Sequence, residues 1–333
     1  MPLIRQRLGV TLAGFGLLLL AAIVTGPLIG SAHISLARVF DRSIPFGDNA
    51  DAQIFFIARL PRVVAAALVG ASLAAAGVAF QALLRNPLAT PDTLGVSSGA
   101  ALGAMLAITF RIDFAVAGVA SIPLASFAGS IGALGIVYAL ASARRRGLST
   151  IVLLVAGVTM TAFFQALILF TQYLADFSET FRTVRWLMGS LDVGSYAPIL
   201  AALPIVVVAF AMLATLPRSL DLISLGADAA AARGVNVLAA ERLALTSASL
   251  ATGAAVSLAG PVGFIGLVVP HLVRLMVGSD HRLVLPASAL FGAAFLIGCD
   301  AIARTVWSSG ELPVGIVTAL IGGPFFLWLL VRR

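Results

Sequence analysis

Every basic residue in this chain is an arginine: there are 21, and no lysine occurs in 333 residues. A guanidinium stays charged at any working pH and can hold a carboxylate through two parallel hydrogen bonds, whereas lysine chemistry depends on a titratable amine. Without lysine there is no P-loop, because GxxxxGK[ST] needs that amine to reach a nucleotide's phosphates. Schiff-base catalysis on lysine is excluded for the same reason. Cys299 stands alone, which removes internal disulfides and multi-cysteine metal sites. His33, His271 and His281 are scattered and receive no metal or haem ligand role. With histidines this few and no HExxH, the chain reads as a non-enzyme with no catalytic and no metal residues.

The elements that carry these arginines are apolar. The composition is 60% hydrophobic and 11% charged, and the mean hydropathy is +1.08. A soluble domain carries roughly 25% charged residues, so this chain cannot cover itself with a water-compatible surface. Long apolar runs make it an all-α, polytopic integral membrane protein, a single transmembrane unit over 1–333. Runs near the roughly 20 residues needed to cross a bilayer fall at 8–29, 63–84, 94–110, 114–140, 148–174, 196–216, 241–259, 262–277, 283–302 and 312–331, about ten transmembrane helices. The first is too long for a cleaved signal, and Pro270 with His271 interrupts the eighth.

Ten spans put both termini on one side, and the arginines distinguish the sides. That face carries 13 of them, including the Arg144–Arg146 cluster, against 8 on the other. The excess predicts cytoplasmic termini, so the net charge of +7 reflects topology and not nucleic-acid binding. Two connections exceed simple turns: the outward loop 30–58, and the inward stretch 217–240, whose alanines predict one or two short surface helices.

The stretch RNPLATPDTLGVSSGAALG at Arg85–Gly103 concentrates several signals. Pro87 and Pro91 stop the second span, predicting a tight turn at the membrane surface. Gly95, Gly99 and Gly103 then recur every four residues, a spacing that lets two membrane helices pack closely. Acidic residues (Asp92, Asp113, Glu241, Glu311) fall near span ends, with Asp300 the one inside, a pattern that disfavours an ion-coupled secondary transporter.

Five motifs in order resemble one family. They are ARLPR at Ala58–Arg62, GASLAAAGVAFQALLRNPLATPDTLGVSSGAALGA at Gly70–Ala104, LGADAAAARGV at Leu225–Val235, GPVGFIGLVVPHLVRL at Gly260–Leu275 and ELPVGIVTALIGGPFFLWLL at Glu311–Leu330. From Arg59 onward the chain is similar to the FecCD-type, BtuC-like permease subunit of type II bacterial ABC importers. The resemblance implies a ten-helix permease of the inner membrane that dimerises, with itself or a paralogue. It implies two cytoplasmic ATPase subunits that bind ATP and Mg in its place, and a periplasmic binding protein that delivers the cargo. Cargoes of the family are ferric siderophores, haem and vitamin B12, and a ferric siderophore is the expected one here.

Carried over residue by residue, the resemblance assigns Arg59, Arg62 and Arg304 to docking acidic residues of the binding protein. The alternative at Arg304 is a pair with Asp300 one helical turn earlier. Leu225, Gly226, Ala227, Asp228, Ala230, Arg233 and Gly234 fall in the ATPase-coupling segment, its small residues permitting close approach. Asn86, Leu88 and Thr150 border the cytoplasmic gate, where Ile151 replaces the small polar residue of the family pattern. Gly95, Gly99 and Gly103 remain helix-packing positions. Lipid is the remaining partner, and nucleic acid is not one.

Overall fold

In lipid every backbone amide must find its partner within the chain, so long apolar runs become helices. The computed structural model describes residues 2–142, 150–306 and 310–331. The Arg144–Arg146 cluster and Arg332–Arg333 lie outside the described residues. In order, the helices are α1 (Pro2–Thr25), α2 (Leu60–Leu83), α3 (Val96–Thr109), α4 (Ser121–Ser142), α5 (Thr150–Leu174), α6 (Phe177–Leu187) and α7 (Ala197–Ala214). There follow α8 (Pro217–Ser224), α9 (Ala227–Ala232), α10 (Val237–Ala259), α11 (Ile265–Val277), α12 (His281–Thr305) and α13 (Val314–Val331). Among the described residues, six helical spans are long and apolar enough to cross a membrane, and α3, α11 and α13 are shorter apolar helices. With α10, whose small and polar residues lower its hydropathy, they make the ten expected spans.

The two faces are fixed by contact. Gln6 and Arg7 of α1 share a cavity wall with Met276, Gly278 and Leu283, at the α11–α12 turn. Gly26, past the other end of α1, abuts Val63 of α2 and Ile297 of α12. The loop 30–58 therefore lies on the face opposite the N-terminus. It is less irregular than expected. Single helical turns occupy Leu36–Val39 and Ala50–Gln53, and a π-helical turn at Ile54–Arg59 runs directly into α2. The stretch 217–240 forms α8 and α9 on the N-terminal face, one short helix on each side of Gly226. Gly226 has φ +123°, a backbone state that a side chain at this position would strain. Pro270 stays inside α11 and does not end it.

The core is built around α2. Nineteen of its residues are buried, on all sides of the helix, as expected for a helix surrounded by protein. The sequence GASLAAAGVA allows this because the contacts are made by backbone. A Cβ at Gly70 would lie 2.2 Å from Gly292 O of α12, and one at Gly77 would lie 2.0 Å from Gly266 O of α11. The α3–α4 pair uses the same device. A Cβ at Gly99 would stand 2.4 Å from Ala133 Cβ, and one at Gly103 would stand 2.1 Å from Ala125 O. Gly95 has a different task. Its φ is +75°, it ends the short 3₁₀ turn Pro91–Leu94, and a Cβ there would meet nothing closer than 3.5 Å.

The turn after α2 is not confined to the membrane surface. Helix α2 ends in a Schellman-type closure, with Asn86 N bonding Gln81 O at 3.1 Å and Arg85 in the left-handed region at φ 48°. The chain then climbs back into the bundle. A Cβ at Gly266 would meet Leu73 O at 3.0 Å and Pro91 Cδ at 3.3 Å, which sets Pro91 level with Leu73 and Gly77. At 1.5 Å per residue these positions lie about 9–15 Å inside the end of α2. From the other side, Thr161 Oγ1 donates to Asp92 O at 3.1 Å, and Thr161 is about 16 Å along α5 from Thr150. Both helices place Asp92 near mid-depth. The surface position expected from the span map is thereby corrected, because α3 is a 14-residue helix that starts inside the bundle.

Gly103→Ala is expected to destabilise the permease by about 1–3 kcal/mol, the usual cost of overpacking. Gly132→Ala on α4, where a Cβ would meet no neighbour within 4 Å, serves as the neutral control. Thermal unfolding of both variants in detergent measures the difference.

Candidate functional site

Three constellations carry the chemistry, one at each face and one between. On the loop face, Arg59 and Arg62 are set one turn apart by the π-to-α junction, and Arg304 comes from the end of α12. All three are buried, at 5%, 7% and 3% exposure. Arg59 donates from Nη1 to Pro27 O at 3.0 Å and to Leu28 O at 3.3 Å, and from Nη2 to Ala32 O. Arg62 Nε meets Asp300 Oδ1 at 2.7 Å, and its Nη1 meets Glu311. Arg304 Nε stands 2.9 Å from Asp300 Oδ2, while its Nη1 and Nη2 donate to Ile29 O and Gly26 O at 2.8 and 3.1 Å. Asp300 is wholly buried between the two guanidinium groups. The pair with Asp300 that the sequence offered as an alternative is present. Two acids and the carbonyls after α1 occupy these arginines from within the chain.

On the N-terminal face, α9 presents Asp228, Ala231 and Ala232 to the exterior, with Arg233 and Gly234 just beyond it also exposed. Leu225 before it is 66% exposed, whereas Ala230 is fully buried. Ala227 and Gly226 are half-buried. A partner approaching this face meets Leu225, Asp228 and Arg233 and does not reach Ala230. Helix α8 is seated by Asp221, whose Oδ1 accepts from His281 N at 3.0 Å and lies 2.6 Å from His281 Nδ1. Burial alone would raise the Asp221 pKa. The hydrogen bonds from the His281 side chain and backbone outweigh it and hold the carboxyl below the usual range. Beside it, Asn86 Oδ1 accepts from Leu88 N at 2.9 Å, and Leu88 is 47% exposed. Thr150 begins α5, its side chain lying outside the described residues, and Ile151 is 73% exposed.

Between the faces a cavity of about 380 Å³ opens along α3 and α5. Its polar wall comprises Asp92, Ser97, Ser98, Thr161, Gln165 and Gln172. Thr161, Gln165 and Gln172 recur at helical spacing along one stripe of α5. Sequence reasoning missed this wall. The one signal was the run 94–110, which lies at the lower limit of crossing length. Gly95–Gly99 also spells GxSxG, the pattern of a nucleophile elbow. Here a 3₁₀ turn and not a strand precedes it, and no histidine lines the cavity.

The sequence pattern of the FecCD transport family matches residues 18–332. The chain belongs to that family. It is 44% identical, over 90% of its length and 79% of the relative, to the cobalamin import system permease BtuC of Halobacterium salinarum. It is 37% identical, over 96% of its length and 95% of the relative, to the hemin transport system permease HmuU of Yersinia pestis. The fold matches a metal-chelate type ABC transporter solved in an inward-facing conformation, with TM-score 0.85 and 32% identity over 97% of this chain and 99% of that one. The chain is therefore a membrane-spanning ABC-transporter permease subunit with a BtuC-like fold, a transport component and not an enzyme.

Two outcomes follow for the permease. Arg62→Met leaves the buried Asp300 charge short of a partner and is expected to cost about 3–5 kcal/mol of stability, whereas Arg182→Met, at an exposed arginine, is expected to be nearly neutral. Thermal unfolding in detergent ranks the two. Because the Asp221 carboxyl is held low, its contribution is complete above the ordinary carboxylate range and is lost as pH falls through the folded value. The stability deficit of Asp221→Asn is thus expected in full at neutral pH, to start shrinking as pH falls below about 4, and to vanish only once pH lies under the lowered folded value.

Proposed function

We propose that this permease is the membrane half of an ATP-driven type II importer that carries a ferric siderophore into the cytoplasm. The observation that carries this reading is the shared chemistry of the cargoes in the relatives' names. Cobalamin, hemin and a metal chelate are all metal ions wrapped in an organic ligand. A second reading, corrinoid or haem import by the same mechanism, is favoured by the 44% identity to a cobalamin permease.

In this reading the N-terminal face is cytoplasmic, as the arginine excess indicates, and the membrane is the bacterial inner membrane. Two separate ATPase subunits hold ATP and Mg, since a chain without lysine has no P-loop. They engage the coupling segment through Leu225, Asp228 and Arg233, with Gly226, Ala227 and Gly234 allowing close approach and Ala230 anchoring the segment from beneath. Asn86, Leu88 and Thr150 border the inner gate. A second copy or a paralogue, together with lipid, covers the exposed apolar side of α5, where Val155, Val158 and Leu169 are each more than 60% exposed. A periplasmic binding protein meets the loop face. Arg59, Arg62 and Arg304 serve that docking by exchanging internal acceptors for its carboxylates, and the half-exposed Glu311 is the acceptor nearest release.

Reconstitution with the ATPase subunits in liposomes tests the reading. Siderophore-loaded binding protein is expected to stimulate ATP hydrolysis, and stimulation by haem- or corrinoid-loaded protein alone would overturn the siderophore assignment. Leu225→Glu is expected to abolish the stimulation at unchanged thermal stability, whereas Ala230→Leu is expected to lower stability.

A further inference from the structure

Asp92 is the one charged residue in the wall of the mid-depth cavity; every other lining residue is neutral. Asp92 is an exposed residue at that space, and Ser97 stands in the same wall. Among the described residues no arginine comes within ion-pair distance of it. This contrasts with Asp300, a second deep acid, which is enclosed and neutralised by two guanidinium groups. An ionisable group held at mid-membrane without a counter-ion is costly to keep, and such groups line substrate or ion paths. The wall around it fits a path. The stripe Thr161, Gln165 and Gln172 runs from the level of Asp92 toward the loop-face end of α5, offering hydroxyl and amide dipoles that can turn toward either charge. Asp92 alone fixes a sign.

We infer that Asp92 makes this cavity a charge filter, a specificity determinant that favours cargo carrying a cationic group over neutral or anionic cargo of the same shape. The inference rests on the importer reading and names its substrate class more narrowly. A cation passing the cavity is attracted by an ionised Asp92 carboxylate, and an anion is repelled by it.

The test uses the full complex in liposomes with two probes of one scaffold. One is a linear ferric trihydroxamate bearing a protonated terminal amine; the other is the same chelate after N-acetylation. The readout is the ratio of their uptake rates, which is independent of how much permease has folded. Asp92→Asn is expected to lower the cationic-to-neutral ratio by about tenfold, and Asp92→Glu is expected to restore most of it. An unchanged ratio in Asp92→Asn overturns the charge filter and leaves the importer reading standing. Uptake of neither chelate by the wild type overturns the siderophore reading, and the inference with it.

Discussion

Backbone contact between helices that have no side chain between them is the constraint on which this structure depends. In lipid there is little hydrophobic gain from bringing helices together, so close van der Waals packing must do the work. Helix α2 achieves it twice, Gly70 against Gly292 and Gly77 against Gly266. The second contact has a consequence beyond packing. Because a Cβ at Gly266 would also meet Leu73 O and Pro91 Cδ, the narrow α2–α11 interface leaves room for the returning chain at Pro91 at mid-depth. The cavity wall, the short α3 and the position of Asp92 all follow from it.

The charges obey the same economy of space. Carboxylate Asp300 could not remain buried alone, and Arg62 and Arg304 enclose it from two helices. Arg59 and Arg304 also donate to carbonyls that follow α1, where the α-helical ladder has ended. The cluster therefore ties α1, α2 and α12 together at one face while leaving Glu311 half-exposed. On the other face, the Asp221–His281 contact joins α8 to the start of α12. Helix α12 thus connects the short surface helices on one side to an ionic cluster on the other. Its two ends are the places where a change at either face would be felt.

Much of the fold was legible because apolar length is a one-dimensional property. Ten spans, short surface helices at 217–240 and close packing at Gly99 and Gly103 could each be read along the chain. The roles of individual polar residues were less legible. Arg304 and Asp300 are four apart, so their pairing was readable as a helical neighbour. The Arg62–Asp300 contact joins residues 238 positions apart, and no local pattern announces it. Ala230 looked like a docking residue because it is small. It is instead the buried side of α9, a distinction that depends on which way a six-residue helix faces. Asp92 lay next to prolines and so resembled a surface turn, although the segment doubles back.

By itself the sequence determined the class of protein: too apolar for water, without lysine for ATP, with ten runs of crossing length and an arginine bias between the faces. These follow from composition and from the length of a bilayer, which do not depend on which helix touches which. Only the tertiary structure decided which charges are enclosed and which are open. Asp300 and Asp92 are both acids within the membrane-spanning bundle, yet one is matched by two guanidinium groups and the other faces a cavity. That difference arises from helix contacts between residues far apart in the chain, and a side chain's electrostatic surroundings exist only once those contacts are made.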